Sequence, residues 1–217
     1  MSEILTFGNE ILSWNGEAFV SDAAEYVVIG GKSYRTVTIG NQVWLGENLD
    51  YQFDGCTIGP SGNPEVPSAW YYNNNQSTYG SYGLLYNWLA VKYLEENKST
   101  LIPGWHVPTS SEFETLLETV GGVLTAGKVL KSKTLWNDDG NGTDDFNFTA
   151  LPAGTRSQYG GMFRDIGANT HLFSTTIYQD VNVSMLIMQD FNDYASIGNF
   201  GVIESNWAFS VRLVKDA

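Results

Sequence analysis

The sequence predicts an α+β domain with two main helices, antiparallel sheets and long loops, preceded by a small N-terminal β-segment. Three observations point to this class. Residues 25–49 read EYVVI, Gly30-Gly31, KSYRTVTI, Gly40-Asn41, QVWLGENL: alternating segments joined by two-residue turns, as an antiparallel meander requires. After Pro108, Thr109-Ser110-Ser111-Glu112 has the spacing of a helix capping box. The C-terminal third offers HLFSTT, VSMLIMQDF, ASIGNFGVI and AFSVRLV, a run of short strands.

In chain order, residues 4–7 and 11–14 read as two short strands, with Asn15-Gly16 suited to a type I′ turn before a third segment at 17–20. Residues 1–24 therefore form a separate β attachment or oligomerisation segment, and 25–217 the main domain. The 52–83 stretch is rich in Gly, Pro, Ser, Asn and Tyr without sustained periodicity, which predicts a long irregular excursion packed through its tyrosines. Residues 84–97 read as a helix with Leu85, Trp88, Leu89 and Tyr93 on one stripe. In the capped helix, Phe113, Leu116, Leu117 and Val120 form the apolar stripe, and Gly121-Gly122 closes it. An acidic, glycine-rich loop follows at 136–147, WNDDGNGTDDFN, before ALPAG opens the strand series.

Composition excludes several function classes. With 11 Lys and Arg against 24 Asp and Glu, the formal charge of −13 repels phosphate backbones, so nucleic acid is not an expected partner. No apolar run approaches the ~18 residues of a membrane span, and MSEILTFGNE lacks the basic and apolar regions of a signal peptide, so neither membrane insertion nor self-directed export is expected. Cys56 is the only cysteine, which rules out an intrachain disulfide.

The ordered blocks VTIGNQVWLGENLDY (37–51), YGLLYNWLAV (82–91), PGWHVPTSSEFETL (103–116), LWNDDGNGTDDFNFTALPAGTRS (135–157) and AFSVRLVKD (208–216) resemble the Fibrobacter succinogenes major paralogous domain family. GWHVPTSSEFETL is also similar to the GWRLPTEAEWE segment of the formylglycine-generating sulfatase-modifying superfamily, whose core is C-type-lectin-like. The resemblance implies that fold, and it implies an exported or surface setting in gut and rumen bacteria. It does not carry the oxidase activity across, because that chemistry needs cysteine thiols and Cys56 stands alone.

Catalytic constellations are sparse. His106 and His171 lie far apart, with no second ligand at metal spacing, and His106 reads as scaffold at the entrance of the capped helix. Glu112, Glu114, Asp138, Asp144 and Asp145 are explained by capping and turns more readily than by an acid and base facing across a cleft. The chain is expected not to be an enzyme. Asp139, Asn141, Thr143 and Asp145 alternate as hard oxygen donors and form a candidate calcium site, although the loop lacks the glutamate and glycine positions of an EF-hand. The competing reading is a turn in which Asp and Asn side chains bond backbone amides.

Binding chemistry concentrates near the C-terminus. Tyr159, Phe163, His171 and Phe173 precede the ten candidate ligand-binding residues Tyr178, Gln179, Asp190, Asn192, Asp193, Tyr194, Asn199, Phe200, Asn206 and Trp207. Rigid rings mixed with short amides and acids suit sugars or protein epitopes. Alternation along strands places about half of such positions in a core. In MLIMQDF both faces are apolar, so the strand should be buried and its polar end at 189–194 exposed.

The opening ILTFGNEILSWNGEAF resembles the attachment segment of a phage structural protein. The expected role is then a virion component (fibre, head decoration or tail tip) that binds a bacterial surface glycan or protein. Residues 1–24 would contact other virion proteins, and the chain would be a homo-oligomer, drawn as a trimer around Leu5, Phe7, Leu12, Trp14 and Phe19. The alternative is a secreted or cell-surface carbohydrate-binding adhesin of a gut bacterium.

Overall fold

The computed structural model describes residues 4–7, 10–14, 19–21, 25–59, 65–203 and 205–216. At the N-terminus β1 (Ile4–Phe7), β2 (Glu10–Trp14) and β3 (Phe19–Ser21) pair in order as a three-stranded antiparallel sheet. The described part of the third strand is Phe19–Ser21, and residues 17 and 18 of the expected segment lie outside the described residues. The Asn15-Gly16 turn lies outside the described residues, and so do the side chains of Leu5, Phe7, Leu12, Trp14 and Phe19.

The meander forms as its pattern requires. β4 (Glu25–Ile29), β5 (Lys32–Ile39) and β6 (Gln42–Leu45) pair antiparallel, and β16 (Val214–Asp216) closes the sheet on β6, giving the order β16-β6-β5-β4.

A larger sheet runs β14-β13-β12-β15-β9-β8-β7. Its strands are β7 (Thr57–Ile58), β8 (Ser68–Trp70), β9 (Leu85–Asn87), β12 (Asn169–Tyr178), β13 (Asn182–Gln189), β14 (Ala195–Phe200) and β15 (Ala208–Ser210), while β10 (Thr155–Arg156) pairs with β15 and with β11 (Phe163–Arg164). Pairing is mostly antiparallel; β12 with β15 and β7 with β8 are parallel. The 52–83 excursion thus contributes two strands, and its tyrosines pack as expected, with the Tyr72 and Tyr79 rings 5.1 Å apart.

The helices are α1 (Gln76–Tyr79), α2 (Trp88–Glu96), α3 (Lys98–Leu101), α4 (Ser110–Thr119) and α5 (Val123–Leu130). The reading of 84–97 as one helix is corrected at its start. Leu85–Asn87 is a fully buried strand between β15 and β8, and Asn87 then caps α2 by accepting from the Ala90 N–H. The buried stripe is accordingly Trp88, Ala90, Val91 and Leu94. α4 carries the reciprocal capping box between Thr109 and Glu112 and buries Phe113, Leu116 and Leu117. α5 makes a third substantial helix that the sequence pattern did not announce. ALPAG is irregular, joined to the fold by an isolated bridge from Ala150 to Lys131.

Two large cores result. Tyr34, Tyr86, Trp88, Phe173 and Phe209 anchor one; Trp44, Phe113, Leu130, Phe148 and Leu186 anchor the other, with Trp44 stacked on Phe113 at 5.6 Å. Arg212, fully buried, donates to the carbonyls of Leu45, Phe148 and Thr149 and to Asn48 Oδ1, with its guanidinium 4.5 Å from the Phe148 ring centre. These bonds, made by Nη1 and Nη2 while the buried Nε has no partner among the described residues, are what make an interior cation tolerable.

Candidate functional site

Strand register decides which side chains share a face. Thr170↔Met188↔Ala195 and Leu172↔Leu186↔Ile197 stand on one side of the β12–β13–β14 sheet and enter the core built with α4 and α5. Their neighbours His171↔Ile187↔Ser196 and Phe173↔Met185↔Gly198 stand on the other side. The chain must then travel from β14, at the sheet edge, past β13 and β12 to reach β15. The described residues 201–203 and 205–207 lie over the His171 face, and a cavity of about 320 Å³ lies beneath them.

The cavity is lined by Thr155, Asp165, Asn169, His171, Phe200, Gly201, Val202, Trp207 and Phe209. Its rings brace one another. Trp207 stacks on Phe209 at 5.9 Å and 11°, Phe200 meets His171 edge-on at 5.1 Å, and Tyr159 stands edge-on to Trp207 at 6.3 Å. Behind them Arg156 lies 4.1 Å over the Trp70 ring and donates to the Asn206 carbonyl, fixing the residue before Trp207.

His171 is 9% exposed, and its Nδ1 is enclosed without a hydrogen-bond partner. Burial pushes the imidazole down to about 4, so it is neutral at pH 7. The Asn169 Oδ1 accepts from Gln189 Nε2, which leaves the Asn169 NH2 as a donor.

The ten candidate residues divide among four places. Phe200 and Trp207 line the cavity, and Asn206 is buried beside it with Oδ1 unpartnered. Asn199 faces solvent and accepts from the Ser184 hydroxyl. Tyr178 and Gln179 form the exposed β12–β13 turn, where Gln179 donates to the Tyr178 hydroxyl. Asp190, Asn192, Asp193 and Tyr194 form the β13–β14 turn, against the acidic loop. β13 itself is largely buried and its 189–194 end is more open, as its two apolar faces require. Of the earlier aromatic candidates Phe173 is core. Thr155, Asp165, Asn169 and Phe209 were missed; each carries no local signal and enters the site only through the crossing.

Two lysines tie down the acidic loop and the β13–β14 turn beside it. Lys131, fully buried, donates through Nζ to the carbonyls of Gln189 and Asn192 at 3.1 and 2.8 Å, and Lys128 donates to the Asn141 carbonyl at 3.1 Å. Close backbone approach makes this geometry depend on glycine: a Cβ at Gly140 would sit 2.3 Å from the Asp190 carbonyl oxygen, and one at Gly127 2.3 Å from that of Tyr194. Of the calcium donor set, Asn141 Oδ1 accepts from the Trp136 N–H and the Thr143 hydroxyl donates to the Lys128 carbonyl. Asp139 sits in a left-handed turn at φ 60°. Among the described residues no three His, Cys, Asp or Glu side chains gather as a metal site. Asn141 and Thr143 are thus engaged within the turn itself.

With the fold and cavity defined, comparison places the chain. The family model described as Fibrobacter succinogenes major domain matches residues 37–215, and the chain belongs to that family. No curated protein and no solved structure matches it. The whole cavity lies within the matched span. Among the described residues no helix is long and apolar enough to cross a membrane.

Proposed function

We propose that this chain is a non-enzymatic recognition module of C-type-lectin-like type that binds a saccharide of a bacterial surface in the cavity under residues 201–207. The observation that carries the reading is the cavity itself, in which Phe200, Trp207 and Phe209 offer apolar faces beside Thr155, Asp165 and Asn169. Flat rings with a few placed polar groups match a sugar's apolar face and its hydroxyls. A catalytic role has less support: a histidine relay holds Nδ1 against a carboxylate, and here Nδ1 has no partner.

We place the module in a phage virion. The support is the β1–β3 sheet, which pairs only within itself among the described strands and precedes the family span by some fifteen residues, as a separate attachment element would. Homotrimerisation through residues 1–24 follows from that role.

A glycan array read together with binding to intact bacterial cells tests the recognition role. Retained binding in Trp207→Ala would remove the cavity from it. Light scattering tests the assembly: a monomer, or an oligomer unchanged when residues 1–24 are deleted, would overturn the attachment role and favour the cell-surface adhesin.

A further inference from the structure

The cavity's charge and polarity narrow what can enter it. Among the described residues Asp165 and His171 are the only ionisable side chains lining it, and His171 is uncharged at neutral pH, so none of the described lining groups is a cation that could receive a carboxylate or phosphate. The chain's overall charge of −13 adds to this exclusion. Uronic acids, sialic acids and phosphorylated sugars are disfavoured.

Size sets a second limit. A volume of about 320 Å³ lies at the lower end of the ~300–1,000 Å³ range of small-molecule pockets, the scale of one sugar ring with a short substituent.

The remaining polar groups set a third. The free Asn169 NH2 donates, the Asp165 carboxylate accepts, and the enclosed His171 Nδ1 marks a polar position left unsatisfied between the Phe200 and Phe209 rings. An acetamido group matches all of these at once. Its carbonyl accepts from Asn169, its N–H donates to a carboxylate or imidazole nitrogen, and its methyl packs on the rings.

Resting on the saccharide reading, we infer that the cavity selects an uncharged N-acetylhexosamine over both the plain hexose and the acidic sugars. Selectivity comes from leaving the site's polar groups unpaired when the acetamido group is absent.

The test is titration calorimetry of the full chain with N-acetylglucosamine, N-acetylgalactosamine, glucose and glucuronic acid, repeated on Asn169→Asp and Trp207→Ala. Asn169→Asp keeps the oxygen that accepts from Gln189 while removing the donor, so it separates recognition from folding; thermal unfolding confirms that both variants fold. The expected result is at least one N-acetylhexosamine binding ~tenfold more tightly than glucose, no heat with glucuronic acid, and ~tenfold loss in Asn169→Asp. Equal affinity for glucose, or binding unchanged in Asn169→Asp, overturns the acetamido selection and leaves the saccharide reading standing. No heat with any of the four sugars overturns the selection as well. If binding to cells then also survives Trp207→Ala, the saccharide reading falls with it.

Discussion

His106 Nε2 lies 2.6 Å from Glu112 Oε1, while Oε2 of the same carboxylate accepts from the Thr109 N–H at 2.7 Å. His106 also exchanges backbone hydrogen bonds with Val214, so this pair ties the N-terminus of α4 to the last strand. The Glu112 hydrogen bond raises the imidazole above its ordinary value. Burial pushes the Glu112 carboxyl up, but the bonds from His106 and Thr109 outweigh it and hold it at about 2.

These shifts fix a pH window. The Glu112 contribution is present above its ordinary 4.5 and fades as pH falls toward 2, whereas that of His106 is complete below 6.5 and fades as pH rises through its elevated value. His106→Gln should therefore be most destabilised relative to the native chain between pH 4.5 and 6.5, with the gap narrowing on either side. Denaturant titrations across pH check this, and a gap independent of pH would show that the pair is not ionised.

His171 acts in the opposite sense. Its folded value near 4 lies below the ordinary 6.5, so the unfolded chain takes up a proton first and stability falls as pH drops through that interval, by about 3 kcal/mol in all. His171→Leu should abolish this acid loss and be neutral or stabilising at pH 7, because an unpartnered buried nitrogen leaves the fold. Sugar binding should be lost in the same variant, a separation visible by combining thermal unfolding with calorimetry.

Arg212 holds four acceptors around the Phe148 ring, and burial pushes its guanidinium down to about 9. Arg212→Met strands three carbonyls and the Asn48 amide oxygen, and should cost about 3–5 kcal/mol. Equilibrium unfolding in urea measures it.

At the acidic loop the ammonium groups predict no thermal shift on adding calcium or chelator. Lys131→Met, which leaves the Gln189 and Asn192 carbonyls unpaired, should lower the melting temperature by roughly 2–4 °C per kcal/mol lost. A calcium-dependent rise would restore Asp139, Asn141, Thr143 and Asp145 as ligands.

Local chemistry was legible, and long-range closure was not. The Gly30-Gly31 and Gly40-Asn41 turns and the Thr109–Glu112 box declare themselves because each is settled within a few residues. Leu85–Asn87 does not read as a strand in the sequence because a fully buried three-residue strand has no period of its own to show. α5 was missed because VLTAGKVL is short and has Gly127 in its interior, where close contact with the β13–β14 turn outweighs propensity. The aromatic richness of the C-terminus pointed to Phe200 and Trp207, yet Asp165, Asn169 and Phe209 join them only after the chain crosses two strands.

The four-stranded sheet has a bearing on how the domain is wired to whatever carries it. β4 and β16 are its two edges and run in opposite directions, so the backbone arriving at Glu25 and the backbone leaving at Asp216 point toward the same end, three strand spacings or about 14 Å apart. A unit whose two leads emerge side by side can be spliced into a surface loop of another protein without stretching either.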